Sequence, residues 1–184
     1  PSLVSFTAVG STGNIDQSFT TAPDWSSWVW NTAGVQYMEA QSFTATKSKL
    51  TWVYVYKQAN TGTPTWNFKI DIRTDNAWVP SATILATYTI PLATYNALSV
   101  WEFLVNVPYN LTTGTVYHIV CSNTATEWLN NSFKVGAKWA WGYTWWIMNY
   151  SADWGATWLP NGTADMYFKT LYYKPTTNFK ASQN

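Results

Sequence analysis

Between Trp66 and Arg73 the chain reads Trp-Asn-Phe-Lys-Ile-Asp-Ile-Arg, with an apolar side chain at every even position and a polar one at every odd position. A period of two puts alternate side chains on opposite faces of an extended strand, so this stretch predicts a strand with one face in a core. Runs of similar character cover Leu50 to Tyr56, Trp101 to Val107, Thr115 to Cys121, Phe133 to Trp139 and Ala164 to Tyr173, each rich in β-branched and aromatic residues. Turn chemistry separates them at Asn60 to Pro64, Asp75-Asn76 with Pro80, Pro108 to Asn110 with Gly114, Asp153 to Gly155 and Pro160 to Gly162. Helical periodicity is nowhere convincing, and short strands at this spacing mean a sandwich or barrel. Leu50 to Tyr56 is apolar on both faces, as expected of a central strand.

A length of 184 residues fits one all-β domain around one core. The expected organisation is an N-terminal arm or donor strand over 1–24, a β-sandwich over 25–174 and a C-terminal tail over 175–184. In the first segment Leu3, Ser5 and Thr7 alternate with Val4, Phe6 and Ala8 up to Val9, and Gly10-Ser-Thr-Gly13 follows as a flexible link. Two readings stay open: an ordinary first strand, or a strand that leaves its subunit and completes a neighbour's sheet, with Leu3, Val4, Phe6 and Val9 as its anchors.

Composition narrows the function. Fourteen tryptophans and twelve tyrosines accompany only ten basic and nine acidic residues. A formal charge of +1 without a basic run leaves no electrostatic footprint for a phosphate backbone, so nucleic acid is not an expected partner. Cys121 is the one cysteine, so no intrachain disulfide and no cysteine cluster for zinc is available. No apolar stretch approaches the roughly 20 residues of a membrane span. Pro1 fits removal of an initiator methionine better than signal-peptidase cleavage, which together with the low charge leads to an expected location on a virion surface or in an extracellular filament.

From Gln41 to Tyr172 the order of landmarks resembles a jelly-roll module of bacterial and phage surface proteins, of the choice-of-anchor type. The landmarks are Gln41-Ser-Phe43, Leu50 to Tyr56, Phe68 to Asp75 with Pro80 and Leu85-Ala86, Trp101-Glu-Phe103, Leu111 to Val120, Ser151 to Trp158, and Ala164 to Lys169. The resemblance implies an all-β, antiparallel jelly-roll β-sandwich carrying an N-terminal extension. Such modules are similar to carbohydrate-binding domains and also occur in fibres and decoration proteins. The extra tryptophans between Trp139 and Trp158 and the N-terminal extension depart from the shared pattern.

Candidate chemistry is sparse. His118 lies inside a strand without a second histidine or thiol pair, and Cys121 sits among apolar neighbours as an inert thiol, so no catalytic residue and no metal site is expected. Asp71 between Lys69 and Arg73 reads as a solvated charge ladder. Asp75 and Asp153 in loops are the carboxylates best placed for calcium, but no calcium-loop spacing is present. Four sequons, at Asn110, Asn130, Asn149 and Asn161, fall in or beside expected loops and are possible glycosylation sites.

The densest aromatic stretch, Trp139, Trp141, Tyr143, Trp145, Trp146, Trp154 and Trp158, is expected either to form a contact platform or to plug a core. Trp52, Trp66 and Trp101 belong with the core, whereas Trp25, Trp28 and Trp30 lie outside the clean alternation and are expected to touch something else. These features lead to a non-enzymatic structural protein, without cofactor, that self-assembles as a homo-oligomer or with other virion or filament subunits. The alternative is a carbohydrate-binding module that stacks sugars on exposed tryptophans.

Overall fold

The computed structural model describes residues 14–32, 35–98, 102–125, 131–139 and 148–172. The first half of the chain forms β1 (Asn14–Phe19), β2 (Trp25–Thr32), β3 (Val35–Gln36), β4 (Met38–Thr44), β5 (Lys49–Thr61), β6 (Phe68–Asn76) and β7 (Val79–Ile90), followed by the helix α1 (Leu92–Ala97). The second half forms β8 (Glu102–Asn110), β9 (Val116–Asn123), β10 (Ser132–Trp139), β11 (Met148–Ser151), β12 (Leu159–Pro160), β13 (Ala164–Met166) and β14 (Phe168–Tyr172). All pairings are antiparallel and fall into two sheets. One runs β1-β14-β5-β10-β2-β3, with β8 also on β5 and β13 also on β10, and the other runs β12-β11-β4-β9-β6-β7. The all-β class and the layered sandwich expected from the alternation are therefore present.

The core follows the period of two. Phe68, Ile70 and Ile72 of β6 are fully buried, and the same spacing buries Val53 and Val55 of β5 and Phe133 and Val135 of β10. Phe133 meets Phe68 edge-on at 5.4 Å and Tyr95 at 4.7 Å between ring centroids, an arrangement that adds about 1 kcal/mol per pair to the burial of the rings. Tyr95 reaches this cluster from α1. The helix has six residues, too few to register as a periodic pattern, and Lys57 holds its C-terminal end by donating from Nζ to the carbonyls of Tyr95 and Leu98 at 2.7 and 2.8 Å. Trp66 is buried beside this core, Trp52 is only half-buried on the outer face of β5, and Trp101 lies outside the described residues.

The expected solvated ladder on β6 is instead buried. Asp71 is 0% and Arg73 6% exposed, although both point away from the main core. Arg73 and Lys69 contact Asp71 Oδ2 at 3.0 and 3.2 Å, and Thr87 donates to Oδ1. The physical reason is a second apolar layer. Met38, Ala40 and Val120 occupy the outer face of β4 and β9, and Trp158 packs on them from the segment after β11. Gly155 of this covering segment, at φ +81°, lies so close over the sheet that a Cβ would sit 3.2 Å from Arg73 Nη1 and 3.4 Å from Met38 Sδ.

The segment expected as an arm divides. Residues 14–19 are β1, an edge strand of the chain's own sheet that pairs with β14 from Asn14↔Tyr172 to Phe19↔Phe168. Asp16 ties the strand to the β4–β5 turn through the backbone N–H and the hydroxyl of Thr46. Leu3, Val4, Phe6 and Val9, and the expected tail over 175–184, lie outside the described residues.

Candidate functional site

The site grows from β2, whose sequence Trp25-Ser-Ser-Trp-Val-Trp30 places Val29 in the core and turns Trp28 to the opposite face. One edge of β2 pairs with β10 along its length, from Trp25↔Ala137 to Trp30↔Ser132. Among the described residues the other edge pairs with β3 only at Asn31 and Thr32. That open edge, facing β4 and β11 of the second sheet, leaves an open cleft of about 640 Å³ on this side of the sandwich.

Aromatic side chains build most of its wall: Trp25, Trp28 and Trp30 from β2, Tyr37 before β4, and Tyr150 from β11. Trp30 stands edge-on to Trp28 at 5.8 Å and lies tilted against Tyr37 at 4.9 Å, so the rings brace one another. Trp28 is half-exposed, and Lys134, its cross-strand neighbour on β10, holds an ammonium 5.7 Å from the Trp28 ring centre. Between the rings stand four polar side chains besides Lys134: Ser26, Ser27, Glu39 and Asn161.

Glu39 is the unusual member. It is 4% exposed, yet it shares the inward face of β4 with Phe43 and lies opposite Cys121 on β9 and Tyr150 on β11. Ser27 donates its hydroxyl hydrogen to Oε1, whereas Oε2 is buried and makes no hydrogen bond of ordinary geometry among the described residues. Burial pushes the carboxyl up to about 8, against the smaller opposing effects of the Ser27 hydroxyl and the Asn161 side chain. At neutral pH the group is therefore an uncharged acid, a hydrogen-bond donor as well as an acceptor.

The described members of the expected aromatic platform lie apart from one another. Trp139, half-exposed, lies at the end of β10 against Trp25 at 5.0 Å, so it supports a wall residue of the cleft without lining the cleft itself. Gly162 makes this possible: at φ +60° it runs under the Trp139 ring, where a Cβ would come within 3.2 Å. Trp154 is exposed at φ +64° in the covering segment. Trp158 is not a platform residue but packing for the outer layer, with its indole N–H donated to the Gly155 carbonyl at 3.2 Å. Trp141, Tyr143, Trp145 and Trp146 lie outside the described residues.

Asn110 is exposed at the end of β8, and Asn161 lines the cleft. Asn149 is buried in β11 and donates its amide to the Trp78 carbonyl at 3.2 Å, which leaves no room for a glycan; Asn130 lies outside the described residues.

His118 and Cys121 sit on opposite faces of β9, away from one another. His118 Nε2 is 2.7 Å from Asp75 Oδ1; burial lowers its pKa while Asp75 opposes that shift. Cys121 is fully buried, and desolvation first, with the Glu39 and Asp71 carboxylates adding to it at the high pH where the thiol would ionise, holds the thiol protonated well above its usual range. Among the described residues no three histidines, cysteines or carboxylates come together to hold a metal ion. Asp153, a sequence candidate for calcium, spends its oxygens on Ser151 and Thr157, whose hydroxyls and backbone hold its pKa down.

Sequence reasoning found Trp25, Trp28 and Trp30 by their departure from the clean alternation, and Tyr150 ends the dense aromatic stretch that begins at Trp139, but Glu39, Tyr37 and Lys134 were missed. Glu39 sits in a run, Met38 to Phe43, that is buried throughout, and nothing local marks which face a carboxyl there will take. Compared with family models, curated proteins and solved structures, the chain finds no match.

Proposed function

We propose that this protein is a non-enzymatic contact protein whose aromatic cleft binds carbohydrate. The observation that supports the reading is the convergence of five aromatic rings with Ser27, Glu39, Lys134 and Asn161 in one open cleft. Indole and phenol faces match the apolar C–H faces of sugar rings, and a few fixed polar groups orient the hydroxyls; this is the balance that concave ligand sites display. Among the described residues the lining contains one carboxyl, whereas the usual hydrolysis of a glycosidic bond uses two across the scissile bond. Binding without cleavage is the chemistry these residues offer.

The test is a glycan screen followed by titration calorimetry of the best ligand. Trp28→Ala, which removes a half-exposed wall, is expected to weaken binding tenfold or more, equivalent to about 1.4 kcal/mol, without lowering the unfolding temperature. A screen without any bound glycan would sink the reading.

A second reading, assembly with copies of itself or with other virion or filament subunits, draws on β7. This twelve-residue strand ends its sheet among the described strands and carries exposed Ile84 and Tyr88, and long apolar edges of this kind template pairing with another chain. Ile84→Lys should then keep the protein monomeric when its mass is measured over rising concentration. A jelly-roll connection of the two sheets, kinship with choice-of-anchor modules and a location on a virion or outside the cell belong to the same proposal. The low charge and the order of strand and turn landmarks support them.

A further inference from the structure

The glycan reading leaves the sugar's chemistry open, and the polar floor of the cleft narrows it. Glu39 faces Ser27 from β2, the Cys121 thiol from β9, Tyr150 from β11, Asn161 beyond β12 and, along its own strand, Gln41, whose amide contacts Asp165 at 3.4 Å; Lys134 on β10 lines the same cleft. Ser27 occupies Oε1, and Oε2 is buried without a hydrogen bond of ordinary geometry among the described residues, with the Asn161 side chain as the nearby group that acts on the carboxyl; Oε2 is the oxygen left to carry the proton outward. A buried polar atom left without a hydrogen bond is costly, and a ligand that satisfies it recovers that cost.

Resting on the glycan reading, we propose that the cleft selects an N-acylated amino sugar, whose acyl carbonyl oxygen accepts a hydrogen bond from the Glu39 carboxyl while its ring lies on the Trp28 and Trp30 wall. Three features favour this ligand over a plain hexose or a free amino sugar. A carbonyl is a stronger acceptor than a hydroxyl and answers a group that offers a donor. The acyl methyl matches a wall of indoles and phenols. The Lys134 ammonium over Trp28 opposes a cationic amine in the same cleft. Because Oε2 is covered, the proposal requires the ligand to take the place of the Asn161 side chain, the neighbour that acts on the carboxyl.

The experiment compares the methyl glycosides and short β-linked oligosaccharides of N-acetylglucosamine and N-acetylgalactosamine with those of glucose and galactose. Saturation-transfer NMR and calorimetry read binding between pH 6 and 9.5. For the native protein at pH 6.5, an N-acetylated ligand should bind at least tenfold more tightly than its hydroxyl counterpart, and the preference should fade as the pH passes about 8, where Glu39 ionises. Glu39→Gln, which keeps a donor at the same place without a titrating proton, should retain the preference and lose its pH dependence. Equal affinity for both series, a preference independent of pH in the native protein, or loss of the preference in a folded Glu39→Gln variant would overturn the proposal. If both series bind equally and Trp28→Ala weakens both, the acyl specificity fails while the glycan reading stands. If no sugar binds, both fail.

Discussion

Glu39 shows at the scale of one residue how placement overrides identity. Its carboxyl is ordinary in water, but the inward face of β4 removes it from solvent and gives it Ser27 for one oxygen only. Its folded pKa of about 8 lies above the unfolded value near 4.5, so the folded state holds a proton that the unfolded chain has lost between those values. Its contribution to stability is complete below about pH 4.5 and is lost as the pH rises through 8. Glu39→Gln is therefore expected to match the native protein near pH 4 and to exceed it by about 2–4 kcal/mol at pH 9 in denaturant titrations. A second residue-scale strain lies at the β6–β7 turn, where Ala77 and Trp78 adopt φ +52° and +75°. A side chain in this region costs about 1–2 kcal/mol, partly offset by the entropy that glycine loses on folding. Ala77→Gly should thus raise stability by up to about 1 kcal/mol, read as a higher denaturation midpoint with unchanged slope.

At the scale of elements, the six-stranded sheet has two apolar faces rather than one. The main core takes Phe43, Ile70, Ile72 and Ile119, and the covering segment after β11 takes Met38, Ala40 and Val120. The segment needs Gly155 for both its backbone angle and its closeness to Arg73. Gly155→Ala is expected to cost about 1–3 kcal/mol and to speed hydrogen exchange in β4 and β9, because lifting the cover exposes the Asp71 and Arg73 pair to water. Strands were legible where one face alternated cleanly, as in β6 and β10, or where β-branched and aromatic residues ran together, as in β9. β7 was not, since its outer position at the sheet edge leaves half of its side chains exposed and its pattern without contrast. The outer cover was hidden for a related reason: Asp71 and Arg73 look solvated until a segment about eighty residues further along the chain folds over them.

At the scale of the whole molecule, one aromatic cluster ties the sheets together while another set of aromatics faces out. Phe133 of one sheet touches Phe68 of the other and Tyr95 of α1. Phe133→Ala should cost about 3–5 kcal/mol in global unfolding, in contrast to the near-neutral effect on stability expected of Trp28→Ala at the cleft. The difference between these two variants separates aromatic residues that hold the fold from those left over for a ligand.

The sequence by itself determined the all-β class, the positions of most strands and the excess of aromatic side chains beyond what one core absorbs, because alternation and turn chemistry are local properties of the chain. Only the tertiary structure decided which tryptophans meet. It set Trp25, Trp28 and Trp30 beside Tyr37 and Tyr150, turned Trp158 into packing and put the Glu39 carboxyl among them without water. Those outcomes depend on which strand edge stays open and which faces oppose each other across the two sheets, and contacts between residues far apart in the chain leave no periodic trace within it.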